Sequence, residues 1–352
     1  MEKNEKKRLI LFLAIAYGMT IVLNVLMYFG LQAGRDTSLF VSTQMTMPAC
    51  GVILGLLLYA RDKEMPKAFF ISYIAFSAIM VIVSIISLFV NPTMVKTASG
   101  EQPLLSIWFL YILYAASVVV YILSWVCGKK KRANAGLSHN KLGLSIGLLI
   151  VFFIAFVVRF YISGALSENS TDLIATYNDI FTNIYYWRAV AIIAASVFLG
   201  FFTVLGEEYG WRYYLQPILQ NRFGKRLGVI ILGVVWGLWH AGLDFMFYTK
   251  DSGPQLLVNQ IAACIALAIF FGYVYMKTNN IWLVTLMHFL WDGMMQMTAT
   301  LLSEDGSGIT NMSLKWSEIP SAVICNLVLC VFIFAPIYNK KKQEVLQAEV
   351  TE

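Results

Sequence analysis

The stretch LGLSIGLLIVFFIAFVVRFYISG, residues 142–164, holds one ionisable side chain, Arg159, near its end. A helix needs about 20 predominantly apolar residues to cross the hydrocarbon core of a bilayer, and this run is long enough. The segment before it, 128–141, is polar and carries Lys129, Lys130, Lys131, Arg132 and Lys141. A basic loop leading into such a run describes a membrane span with that end inside.

Nine further runs flank it, near 9–32, 38–60, 68–90, 104–127, 187–206, 227–247, 254–276, 281–301 and 319–338. The run at 38–60 is the weakest, with Ser42, Thr43, Gln44, Thr46 and Pro48, and is expected to be broken or to face other helices. No run alternates with the period of two that a membrane β-barrel requires. The composition agrees, at 59% hydrophobic and 13% charged with a mean hydropathy of +0.70. A soluble domain is about a quarter charged. The first run is too long for the apolar core of a cleaved leader and is expected to remain as a span. The expected fold is therefore all-α, a polytopic transmembrane helix bundle of about ten spans.

With the N-terminus inside and the spans alternating, the inner segments hold twenty lysines and arginines. The outer segments hold four, Arg35, Lys96, Lys250 and Lys315. This asymmetry obeys the positive-inside rule and gives an N-in, C-in topology. Arg159 and Arg188 lie within spans near their outer ends, where long side chains snorkel. The outer loops are acidic (Glu168, Asp172, Asp179, Glu304, Asp305), and the net charge of +6 belongs to the inner loops, so no nucleic-acid partner is expected. The five cysteines form no CxxC pair and read as small apolar side chains. Two sequons, at Asn169 and Asn311, fall in outer loops and matter only in a eukaryotic secretory pathway. Three regions follow: spans of no assigned role over 1–166, a core over 187–300, and a last span with a cytoplasmic tail over 301–352.

Ionisable side chains inside a membrane cost about 2.5–3.5 kcal/mol each on insertion scales, so the spans that carry them are informative. They gather in the second half of the chain. Glu207, Glu208 and Arg212 lie at the inner end of the sixth span, His240 and Asp244 in the seventh, His288 and Asp292 in the ninth. Residues four apart share a helix face. Arg212 can therefore hold Glu208 by a charge-assisted bond, while Glu207 points about 100° away. His240 and Asp244 have the same spacing, as do His288 and Asp292, and a carboxylate one turn from a histidine fixes its tautomer. Trp236 and Trp291 are placed to wall a cavity.

A carboxylate beside two histidines in a dry pocket suits hydrolysis, with the glutamate as general base and with or without a metal. Glu207, His240 and His288 can also complete an open zinc site. Taken singly, these residues have plainer readings. Glu208 and Arg212 make a helix-terminal ion pair, a lone histidine bonds between helices, Asp244 nears the outer interface, and His139 is solvated in its loop. Their gathering on three of ten spans favours a site.

Glu207-Glu208-x-x-x-Arg212, Trp236-x-x-x-His240 and His288-x-x-x-Asp292 follow in that order on three separate spans. The set resembles the motifs of the CPBP family, which groups type II CAAX prenyl endopeptidases with bacteriocin-processing and immunity proteins. Trp236 stands where phenylalanine is usual, and Asp292 where asparagine often stands. The resemblance covers about 187–300, a third of the chain. It implies an all-helical intramembrane protease fold. It also implies Glu207 as the water-activating residue, His240 and His288 as its partners, Asp292 as a supporting oxyanion or ligand-orienting group, and Glu208 with Arg212 as a structural pair. The family's mechanism is described both as metal-dependent and as glutamate-driven. An aspartate at 292 favours a metal, and Zn2+ is the cofactor expected.

Three functions remain open on the sequence. The first is hydrolysis of a peptide bond in a membrane-associated or lipidated peptide or protein, in the plasma membrane, from a cavity open to the cytoplasm. The second is a non-catalytic immunity or regulatory protein on the same scaffold. The third is a transporter, against which the two halves show no matching broken helices.

Overall fold

The computed structural model describes residues 3–60, 64–97, 100–303, 306, 308–310 and 312–339. Arg61, Lys63, Lys340, Lys341, Lys342, Glu304, Asp305 and the sequon residue Asn311 lie outside the described residues.

In chain order the helices are α1 (Asn4–Gln32), α2 (Ser38–Tyr59), α3 (Lys67–Ser87), α4 (Leu104–Val126), α5 (Leu142–Ala165), α6 (Ser170–Thr182), α7 (Ile184–Phe223), α8 (Lys225–Met246), α9 (Gly253–Thr278), α10 (Ile281–Leu302) and α11 (Trp316–Phe334). All but α6 and α10 are long and apolar enough to cross a membrane, nine among the described residues. The expected ninth span, α10, has 22 residues, but His288, Asp292 and Gln296 lower its hydropathy. Helix α6 falls where an outer loop was expected. It is amphipathic, burying Tyr177, Ile180 and Phe181, and the Tyr177 ring lies 5.4 Å from Phe160 of α5. A short antiparallel hairpin, β1 (Met94–Thr97) and β2 (Gly100–Pro103), joins α3 to α4, with Met94 opposite Pro103.

Helix α2 is broken at Met45 and Thr46. Proline at 48 has no N–H for the carbonyl of residue 44, and its ring clashes with that carbonyl. At the break the Thr46 hydroxyl donates to the Thr43 carbonyl at 2.8 Å. The polar residues of this span face other helices, as apolar lipid requires. Thr43 meets Ser84 at 2.8 Å, and the Gln44 amide donates to Asn24 at 2.7 Å.

Helix α7 runs for 40 residues. At 1.5 Å per residue that is roughly 60 Å, about twice the hydrocarbon thickness. The apolar run expected at 187–206 is only its first half. Its geometry changes to a π-helical turn at Tyr209–Leu215, directly after Glu208, before α-helix resumes at Gln216.

The chain forms two compact units. The first comprises Met1–Ser138, Ile192–Gly210 and His288–Gly293. Its core is aromatic, with Phe12, Phe40, Phe69, Phe70, Tyr73 and Phe202 fully buried, and with Phe69 and Phe202 stacked on Tyr73. The second comprises His139–Ala191, Trp211–Met287 and Met294–Glu352. There α8 and α9 approach closely, because Gly233 and Gly237 leave room for the backbones of Ile265 and Ile261. Arg159 is satisfied inside this unit, donating to the Asn326 side chain at 2.8 Å.

Candidate active site

In the first unit, Glu207 and Glu208 end the α-helical part of α7, and both are buried. A stretch of α10 lies against the same part of α7. Gly200 leaves room for the Phe289 ring, and Gly293 leaves room for Ile193. This brings His288 to Glu208, with its Nδ1 2.7 Å from the Glu208 Oε1. A carboxylate only accepts, so Nδ1 carries the hydrogen and Nε2 is left for other work. Asp292 Oδ2 lies 3.6 Å from that Nε2. This is an ion-pair distance, longer than a hydrogen bond. The Asp292 side chain is 47% exposed while His288 is buried. Spacing within α10 pointed to Asp292 as the residue that orients His288; the shorter bond comes from Glu208.

In the second unit, Arg212 sits in the π-helical turn, fully buried. Its guanidinium lies over the Trp236 ring, 4.0 Å from the centroid, and 5.4 Å from that of Phe271. Trp236, expected to wall a cavity, carries this cation on its face. His240 occupies the joint where α8 changes from the segment Lys225–Trp239 to the segment Ala241–Met246. Its Nδ1 is 2.9 Å from the Trp236 carbonyl. A carbonyl only accepts, so Nδ1 again carries the hydrogen and Nε2 keeps its lone pair. Trp239 packs edge-on to the imidazole at 4.9 Å.

Asp244, expected near the outer interface, is 1% exposed, and its Oδ2 has no hydrogen-bond partner among the described residues. The expectation of a solvated His139 is corrected: it is half-buried and stacks on Trp282, with centroids 5.3 Å apart and planes within 6°.

Among the described residues, no three His, Cys, Asp or Glu side chains are grouped closely enough to hold a metal ion. The first unit has one buried carboxylate, Glu207, beside a second that holds an imidazole in a fixed tautomer.

A family model described as Rce1-like, type II CAAX prenyl endopeptidase Rce1-like, matches residues 180–294. The matched stretch contains Glu207, Glu208, Arg212, Trp236, His240, His288 and Asp292. Over that third of the chain the protein is similar to these endopeptidases, and the first five spans lie outside the match. No curated protein and no solved structure matches the chain.

Proposed function

We propose that this chain is an intramembrane endopeptidase in which Glu207 activates the attacking water. The observation that carries the reading is the buried Glu208–His288 bond beside Glu207, in a stretch similar to prenyl endopeptidases. Glu207 takes a proton as water attacks the scissile carbonyl carbon, forming a tetrahedral oxyanion. The intermediate collapses as the C–N bond breaks, and Glu207 returns the proton to the leaving nitrogen. Glu208 holds His288 through Nδ1, so Nε2 faces the reaction, with Asp292 supporting it. His240 is assigned as the second imidazole from the motif order alone, and Arg212 as the cation that steadies the π-helical turn.

The substrate class is a membrane-associated or lipidated peptide or protein. The lysine distribution supports a multi-pass protein of the plasma membrane with its cavity open to the cytoplasm. The test uses purified wild type beside Glu207→Ala, offered prenylated and plain fluorogenic peptides. Metal analysis and a chelator arm decide whether zinc takes part. Cleavage by wild type alone supports the proposal. Equal cleavage by both chains sinks it. No cleavage by either, with Glu207→Ala complementing a deletion strain, makes the protein a binding scaffold.

A further inference from the structure

The family match begins at residue 180 and leaves the first five spans without a role. Contacts inside the first unit give three of them, α2, α3 and α4, one. In Gly206-Glu207-Glu208-Tyr209-Gly210, two glycines four apart bracket the carboxylates and share one helix face. A methyl group at 206 would come within 3.0 Å of the Met45 carbonyl oxygen, the Tyr73 hydroxyl and the Thr46 Cα. One at 210 would collide with Pro48. Met45, Thr46 and Pro48 form the break in α2. Small residues at this spacing let helix backbones approach closely, and what approaches here is the break itself.

Tyr73 of α3 fixes the same segment from another direction. Its ring stacks on Phe202 at 4.4 Å, and its hydroxyl donates to the Phe202 carbonyl at 3.1 Å. Two further bonds hold the segment at its ends. The Phe202 N–H donates to Ser117 Oγ of α4 at 3.3 Å, and the Tyr209 hydroxyl donates to the Ala135 carbonyl at 2.9 Å.

We propose that the break in α2, together with Tyr73, positions Glu207 for hydrolysis and seals the segment that carries it on that side. Helices α2, α3 and α4 are then positioning elements of the hydrolytic site. This rests on the peptidase reading for its kinetic consequences but not for its geometry.

The test compares Gly206→Ala and Tyr73→Phe with wild type. A displacement of about 1 Å near a reacting group costs up to about 100-fold in rate. Gly206→Ala is expected to lower kcat at least about tenfold while KM stays within about twofold. Tyr73→Phe keeps the ring stack and removes one hydroxyl, for a fall of about 3–10-fold, the worth of one net hydrogen bond. Gly18→Ala, with nothing within 4 Å of the added carbon, is the control. A second readout needs no turnover: labelling of Glu207 by an apolar carbodiimide, followed by mass spectrometry. Labelling is expected to quicken in both variants as the seal loosens. Unchanged kcat and unchanged labelling in both overturn the proposal. If wild type cleaves nothing, labelling alone decides. If Gly206→Ala does not fold, Tyr73→Phe decides.

Discussion

Glu208 and His288 stand 80 positions apart in the chain and meet through a 2.7 Å bond in a buried setting. Removing the charge of a group that orients an imidazole typically costs about 10–100-fold in activity. Glu208→Gln is expected to lower kcat by about that factor with little change in KM. Asp292→Asn is expected to cost less than about tenfold, because its contact is longer and its side chain half exposed. Steady-state kinetics on the two variants check the order, and a larger loss at Asp292 would make that residue the principal partner of His288.

Arg212 and Trp236 form the second testable pair. A desolvated cation over an indole face is worth about 2 kcal/mol. A double-mutant cycle of Arg212→Ala with Trp236→Leu, read by chemical denaturation in detergent, is expected to show coupling of about 1–2 kcal/mol. Arg212→Lys is expected to recover little of it, since a compact ammonium lacks the planar stack. Additivity of the two single effects would dismiss the interaction.

Asp244 is a buried carboxylate with one oxygen lacking a partner. An unsatisfied buried polar atom costs about 1–3 kcal/mol. Asp244→Leu is therefore expected to stabilise the protein by about 1–3 kcal/mol, seen as a raised denaturation midpoint. Destabilisation would mean that the carboxylate is satisfied by a water or ion in the membrane.

Outside the spans, Lys130 Nζ lies 2.7 Å from Glu64 Oε1. The lysine's hydrogen bond and charge hold the Glu64 carboxyl below its ordinary value. A carboxyl depressed on folding stabilises above its unfolded pKa and loses that contribution as pH falls through the folded one. Lys130→Ala is expected to return the Glu64 titration, followed by NMR, to the ordinary carboxylate range. Both side chains are exposed, so stability at neutral pH should barely move.

The spans were legible because lipid demands length and apolarity, and α1, α3, α4 and α5 are little else. The break in α2 was legible from Pro48 and its polar neighbours. Helix α7 was cut short at 206 because hydropathy reports the membrane, whereas the helix continues through polar residues beyond it. The π-helical turn leaves no local mark in the sequence. Helix α6 did leave one, with Leu173, Tyr177 and Ile180 at helical spacing, but its acidic surroundings read as a loop. For the site, residue types and spacing nominated Glu207, Glu208, His288 and Asp292, which the structure gathers in one unit. Spacing along one helix could not reveal the bond from Glu208 to His288, nor Trp282 stacked on His139, because those partners come from distant parts of the chain.

The weak hydropathy of α10 bears on how the protein is made. A segment carrying His288 and Asp292 gains little by leaving the translocon for lipid alone, since each such residue opposes insertion. Its retention in the bilayer then depends on a waiting acceptor, and Glu208, synthesised earlier, is the one His288 bonds. Glu208 is in this way already in place when α10 is made, and a glutamine there would keep an acceptor oxygen for His288.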